Sequence, residues 1–195
     1  MTAFSVPAGR LLTVADYLAL PETDERFELQ GGSLVMSPSP KPRHQDAMFW
    51  LVERLRPQLP QHLRITGAVD VDLALAPTDA PGFVRAPDVV VATAEGTERV
   101  QRAGGILRAT DVVLAVEILS PGSARIDRTL KRAEYADAGI PHYWLVDISD
   151  RPSLIACHLA GEFGYADASP ATGVFETDAP FPLRLDLDLD QLATW

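Results

Sequence analysis

The stretch from Asp111 to Asp147, DVVLAVEILSPGSARIDRTLKRAEYADAGIPHYWLVD, constrains the fold more than any other part of the chain. It reads as strand, turn, helix, strand. The first strand is apolar almost throughout (Val112, Val113, Leu114, Ala115, Val116, Ile118, Leu119) and contains one carboxylate, Glu117. A charge inside a buried strand costs several kcal/mol unless a partner or an ion compensates it. The strand therefore demands a partner for Glu117, and the identity of that partner decides what the protein does.

The remainder of the chain supplies candidates. TVADYLAL (13–20) predicts a short helix, with Thr13 and Asp16 placed as a capping box and Pro21 beyond its end. RFELQGGSLVM predicts two strands about a Gly31-Gly32 turn, with Glu28 on the face opposite Phe27 and Leu29. After the proline-rich SPSPKPR connector, Met48, Leu51, Val52 and Leu55 repeat at helical spacing. AVDVDLAL (68–75) and RAPDVVVAT (85–93) read as strands, and 94–110 as a loop with one short helix at most. SLIACHL and the alternating LRLDLDLD near the C-terminus read as further strands.

If 86–92 and 112–119 are antiparallel neighbours, Asp88 and Glu117 meet at one end of the sheet although 29 positions separate them. Two such carboxylates repel unless a cation intervenes, and hard oxygen ligands suit Mg²⁺ or Mn²⁺. Asp88 as a turn cap and Glu117 paired with an arginine is the competing structural reading. On the following helix, Asp127, Lys131 and Tyr135 fall at i, i+4 and i+8, one face of the helix. Asp127–Lys131 alone would be an ordinary surface pair. The connection from Glu117 is so short, however, that this face should hang over the carboxylates, where a lysine can stabilise charge on a phosphate. Ser123 is placed to cap the helix, and Gly139 with Pro141 to end it.

Composition limits the partners. The formal net charge of −10 opposes a polyanionic ligand. Residues 152–195 carry −6 of it, and Arg125, Arg128, Lys131 and Arg132 cluster after the Glu117 strand. No apolar run reaches the roughly 18 residues of a membrane span, and no secretory signal is visible. The single cysteine, Cys157, permits no internal disulfide, so a reducing, cytoplasmic setting is expected. His62, His142 and His158 are read as scattered and not ligands. No GxSxG, phosphate loop or HExxH occurs.

PDVVV, VEILSPGSARIDRTLKRAEYADAGIPHYWLVD and the upstream RFELQGGSLVMSPSPKPRHQ together resemble the Uma-type restriction endonucleases of the PD-(D/E)XK nuclease superfamily. The resemblance runs from about Thr13 to Asp147. It implies an α/β restriction-endonuclease-like fold, a mixed β-sheet flanked by helices with the site at one edge. One nuclease-like domain would span 1–195, with its core at about 13–150 and C-terminal strands at 151–195. It implies metal-dependent hydrolysis of phosphodiester bonds in nucleic acid, DNA being the expected substrate, by a homodimer using Mg²⁺ or Mn²⁺. Asp88 and Glu117 stand at the two acidic positions. Leu119 replaces the lysine of the wider superfamily, and relatives of this type take it from the following helix, here Lys131. Glu28 matches an upstream acid that would support the metal, directly or through water. Asp127 and Tyr135 would fix Lys131, and His44 falls on a family position without an assigned role. Two rivals remain from the sequence: a non-catalytic DNA-binding or regulatory dimer on the same scaffold, and a structural protein whose acids pair with Arg125 and Arg128.

Overall fold

The computed structural model describes residues 9–187 apart from Glu22, Asp24, Pro38 and Pro121. In chain order the elements begin with the short helix α1 (Val14–Leu18), whose capping box joins Thr13 and Asp16. The hairpin β1 (Arg26–Gln30) and β2 (Ser33–Ser37) follows, turning through Gly31 and Gly32 at positive φ. Helix α2 (Pro42–Leu55) takes Pro42 in its first turn. Next come β3 (Leu63–Gly67), β4 (Val71–Asp72), β5 (Val84–Arg85), β6 (Val89–Thr93), α3 (Ala94–Ala103), β7 (Leu107–Arg108) and β8 (Val112–Leu119). Helix α4 occupies residues 124–137 and is interrupted by a wide π-helical turn, Asp127–Lys131, between α-helical Ala124–Ile126 and Arg132–Asp137. Strands β9 (His142–Asp147), β10 (Ser153–Leu159), β11 (Tyr165–Asp167), β12 (Val174–Thr177) and β13 (Leu183–Asp186) complete the described chain. The expected tail is thus seen as far as Leu187, and Asp188 to Asp190 lie outside the described residues.

The strands form a six-stranded mixed sheet in the order β11-β10-β9-β8-β6-β3, a five-stranded sheet β2-β1-β5-β4-β7, and the β12–β13 ribbon. In the larger sheet β8 and β9 are parallel, with α4 as their crossover, and the other neighbours are antiparallel. Both faces of β8 are covered, which is why it reads as a nearly unbroken apolar run. Leu114, Val116 and Ile118 pack with Leu51 and Leu55 of α2, with Trp144, and with Phe175, Leu183 and Leu185 of the ribbon. Ala115 and Leu119 face the other way, toward Tyr135 of α4, Tyr143, Val71 of the smaller sheet and Leu73 just beyond it. Glu117 points to that second side, by the alternation of the strand. Among the described residues no helix is long and apolar enough to cross a membrane.

Four expectations need correction. The run 68–75 pairs only at Val71–Asp72, because Ala68 (φ 49°) and Ala74 (φ 50°) adopt left-handed conformations that turn the chain on either side. The run 85–93 is two strands: β5 belongs to the smaller sheet and β6 to the larger, and the chain passes between them at Ala86–Asp88. The polar stretch after it holds the ten-residue helix α3, started by Thr93, whose Oγ1 accepts from the Gly96 N–H (3.1 Å). Its surface face carries so few apolar residues that periodicity does not reveal it. Finally, β8 is an interior strand, so Glu117 lies at a strand end within the sheet and not along a sheet edge.

The hairpin that carries Glu28 is tied down at Gly32. Its N–H donates to the Gly82 carbonyl (2.9 Å) and its own carbonyl accepts from Leu12 N–H (2.8 Å). A Cβ there would come within 2.8 Å of Leu11 and Pro81, at φ +80°, whereas one on Gly104 (φ +73°) would meet nothing within 4 Å. Gly104→Ala should therefore cost only a positive-φ backbone penalty, roughly 1–3 kcal/mol. Gly32→Ala should cost that plus roughly 1–3 kcal/mol of overpacking. Urea denaturation of the two variants checks the difference.

Candidate active site

The register Val89↔Val116 of the antiparallel pair β6–β8 sets Asp88 opposite Glu117, on one face. Asp88 sits where the chain leaves the smaller sheet, and its Oδ2 accepts from the Ile118 N–H (2.7 Å). His44, in the first turn of α2, closes the other side. Its Nε2 lies 3.1 Å from Asp88 Oδ2 and 3.0 Å from the Ile118 carbonyl, so a proton on Nε2 serves both acceptors. The hydrogen bond to Asp88 raises the His44 pKa above its ordinary value, against the opposing effect of burial.

Glu117 is 3% exposed. Its Oε1 accepts from Lys131 Nζ (2.9 Å) and from the Tyr135 hydroxyl (2.8 Å). The face read from the i, i+4, i+8 spacing does hang over the strand end. Lys131 Nζ is also 3.5 Å from Asp127 Oδ1 and 3.5 Å from Glu28 Oε1. One ammonium thus stands among three carboxylates. Neither oxygen of the buried Asp127 carboxylate makes a hydrogen bond of good geometry among the described residues.

The charges respond accordingly. Burial pushes Glu117 up to about 8, with Asp88 and Asp127 adding to the rise and Lys131 opposing it. Burial likewise raises Asp127. Glu28 goes the other way: burial would raise it, but Lys131, the Ala86 N–H and Arg85 together bring it below its ordinary value. Burial opposes the charge on Lys131, but Glu117, Glu28 and Asp127 outweigh it and hold the ammonium protonated. Burial and Glu117 push the Tyr135 hydroxyl well above its usual range, so it remains a donor.

All six residues singled out from the sequence, Glu28, Asp88, Glu117, Asp127, Lys131 and Tyr135, therefore meet in one place. Two others escaped sequence reasoning. Arg85, 1% exposed, donates through Nη1 to Glu28 Oε2 (2.8 Å) and through Nε and Nη2 to Glu134 (2.6 and 2.9 Å). Glu134 was within reach of the helical spacing, three residues after Lys131. Arg85 was hidden in a run that reads as one strand. Arg125 and Arg128 do not pair with the site acids: Arg128 lies 3.7 Å from Asp147, so the arginine partners of the structural rival are not the ones used. Ser123 does not cap α4 through its side chain but exchanges hydrogen bonds with Ser120. His142 and His158 are not scattered. They are cross-strand partners on β9 and β10, at the strand ends remote from Glu117.

Oxygen donors suit a hard divalent ion at this place. Asp88 Oδ1 and Glu117 Oε2 receive no hydrogen bond among the described residues, since each carboxylate gives its other oxygen to the donors named above. Among the described residues no group of three or more acidic, His or Cys side chains is placed to hold a metal ion by itself.

A family model described as "Uma2: Putative restriction endonuclease" matches residues 14–189. The fold is similar to that in the crystal structure of a "putative nuclease belonging to DUF820" from Anabaena variabilis, at 20% identity and a TM-score of 0.70, covering 93% of this chain and 98% of that one. No curated protein matches the chain.

Between the ordinary carboxylate value and about 8, the folded protein keeps a proton on Glu117 that the unfolded chain has released. Stability should therefore fall as pH rises through this window, by up to about 1.4 kcal/mol per pH unit for a full proton. Glu117→Gln, with no proton to lose, should flatten that slope, as measured by urea denaturation across the window.

Proposed function

The chain belongs to the Uma2 restriction endonuclease family, and from that premise we propose that it hydrolyses phosphodiester bonds in nucleic acid, DNA being the expected substrate, with the help of Mg²⁺ or Mn²⁺. The observation that carries this reading is the Lys131 ammonium held 2.9 Å from Glu117, directly across the sheet from Asp88. Asp88 and Glu117 would hold the ion, each having an oxygen to give. When bound, it would polarise the phosphate and lower the pKa of a water.

The chain's own residues do the rest. Lys131, kept charged by its three carboxylates, is the cation that stabilises negative charge developing on the phosphate. Tyr135 anchors Glu117 by its hydroxyl through Oε1, the oxygen that Lys131 also holds, and leaves Oε2 to the ion. Asp127 keeps Lys131 from swinging outward. His44 and the Ile118 N–H fix Asp88 through its Oδ2. Glu28 has both oxygens engaged, by Arg85 and the Ala86 N–H, which favours an indirect part in support of the metal over direct ligation. A proton shared among crowded acids at neutral pH is also one that a divalent ion would displace, so metal uptake should release protons.

The edge strand β2, with Val35 and Met36 exposed, supports a homodimer. The buried thiol of Cys157 supports a reducing, cytoplasmic setting.

Purified protein with Mg²⁺ or Mn²⁺ should nick supercoiled DNA, and Asp88→Ala and Glu117→Gln should each lower the rate by at least about a hundredfold. DNA binding without cleavage in the wild-type protein would favour the non-catalytic scaffold instead.

A further inference from the structure

We propose that Arg85 and Glu134 are positioning residues that hold Glu28 off the Lys131 ammonium and so commit that ammonium to Glu117. The consequence for catalysis rests on the nuclease reading; the geometry does not.

The guanidinium of Arg85 uses all three nitrogens. Nε and Nη2 grip the two oxygens of Glu134 as a fork, and the third direction, Nη1, is thereby aimed at Glu28 Oε2 (2.8 Å). A planar fork fixes direction in a way that a flexible ammonium does not. The other oxygen of Glu28 accepts from the Ala86 N–H (3.1 Å). With both oxygens engaged, Glu28 stands 3.5 Å from Lys131 Nζ, while Glu117 stands at 2.9 Å. Both acids are buried, so whichever lacks a cation bears the cost of an uncompensated charge. Without Arg85, Glu28 would be that acid, and Lys131 is the nearest cation to it. The ammonium would then move off Glu117, and the charge meant for a phosphate would be spent on Glu28.

Glu134 belongs to the same helix as Lys131, one turn on, and Arg85 lies three residues before Asp88. The trio therefore ties the helix that carries the ammonium to the segment that carries Asp88. Removing Arg85 should disturb the division of one cation between two acids, and not merely loosen the core.

The chain contains two lysines, exposed Lys41 and largely buried Lys131, so side-chain ammonium resonances are few and assignable. Proton–nitrogen correlation spectra of ¹⁵N-labelled protein at mildly acidic pH should show a slowly exchanging Lys131 ammonium. In Arg85→Met/Glu134→Leu, which replaces a buried ion pair by apolar groups, that resonance should shift or broaden. Adding Glu28→Gln should return it to the wild-type position, because the competing charge is then gone. In nicking assays the double variant should lose about tenfold or more in kcat with KM for DNA within about twofold. If the double variant does not fold, as judged by its thermal melt, Glu134→Gln alone is read for the same shift. An unchanged Lys131 resonance in the folded variant, or a shift that Glu28→Gln does not reverse, overturns the proposal. A wild-type protein that fails to nick DNA overturns the nuclease reading and leaves the resonance comparison standing.

Discussion

The centre of this molecule depends on one ammonium shared by three buried carboxylates. Lys131 lies within 3.5 Å of Glu28, Glu117 and Asp127, and none of the four could be buried there without the others. Desolvated charges of one sign are tolerated only beside compensation of the other sign, and compensation here is incomplete. Two of the three acids are therefore pushed toward their protonated forms, while the lysine is held firmly charged. The lysine thus keeps one positive group in place among acids that burial disposes to hold protons.

The fold brings these groups together by letting one segment serve two sheets. The chain leaves the smaller sheet at Arg85 and enters the larger at Val89, and the three residues between carry the Ala86 N–H that binds Glu28 and the carboxylate that faces Glu117. The helix α4 then crosses over the same strand ends because β8 and β9 are parallel and need a crossover. The position of the site thus follows from topology: a strand junction below, a crossover helix above, and the first turn of α2 at the side.

Much of this was legible in the sequence, for identifiable reasons. Glu117 stood out because a carboxylate in an apolar run is an energetic anomaly, and Asp88 followed from an antiparallel pairing that the apolar pattern supports. Lys131 and Tyr135 were found because helical spacing is local and the connection to α4 is short. Arg85 and Glu134 were not found as a pair, since nothing local says that an arginine at the end of one strand reaches a glutamate 49 positions later. The split of 85–93 into strands of different sheets is likewise a tertiary fact. The left-handed alanines at 68 and 74 end strands that their residue types would have continued, and helix α3 is too polar for its period to show.

The π-helical turn of α4 sets the phase of the whole arrangement. Widening the helix at Asp127–Lys131 delays everything after it by close to one residue relative to a regular α-helix. Glu134 and Tyr135, which follow the turn, take their phase from it. Shortening the turn by a single residue would make the helix more regular, yet rotate its later half by about 100°, turning the tyrosine hydroxyl and the glutamate away from their partners. A helix with better hydrogen bonding would then stand over an emptied pocket, which gives a physical reason for this less regular geometry to persist.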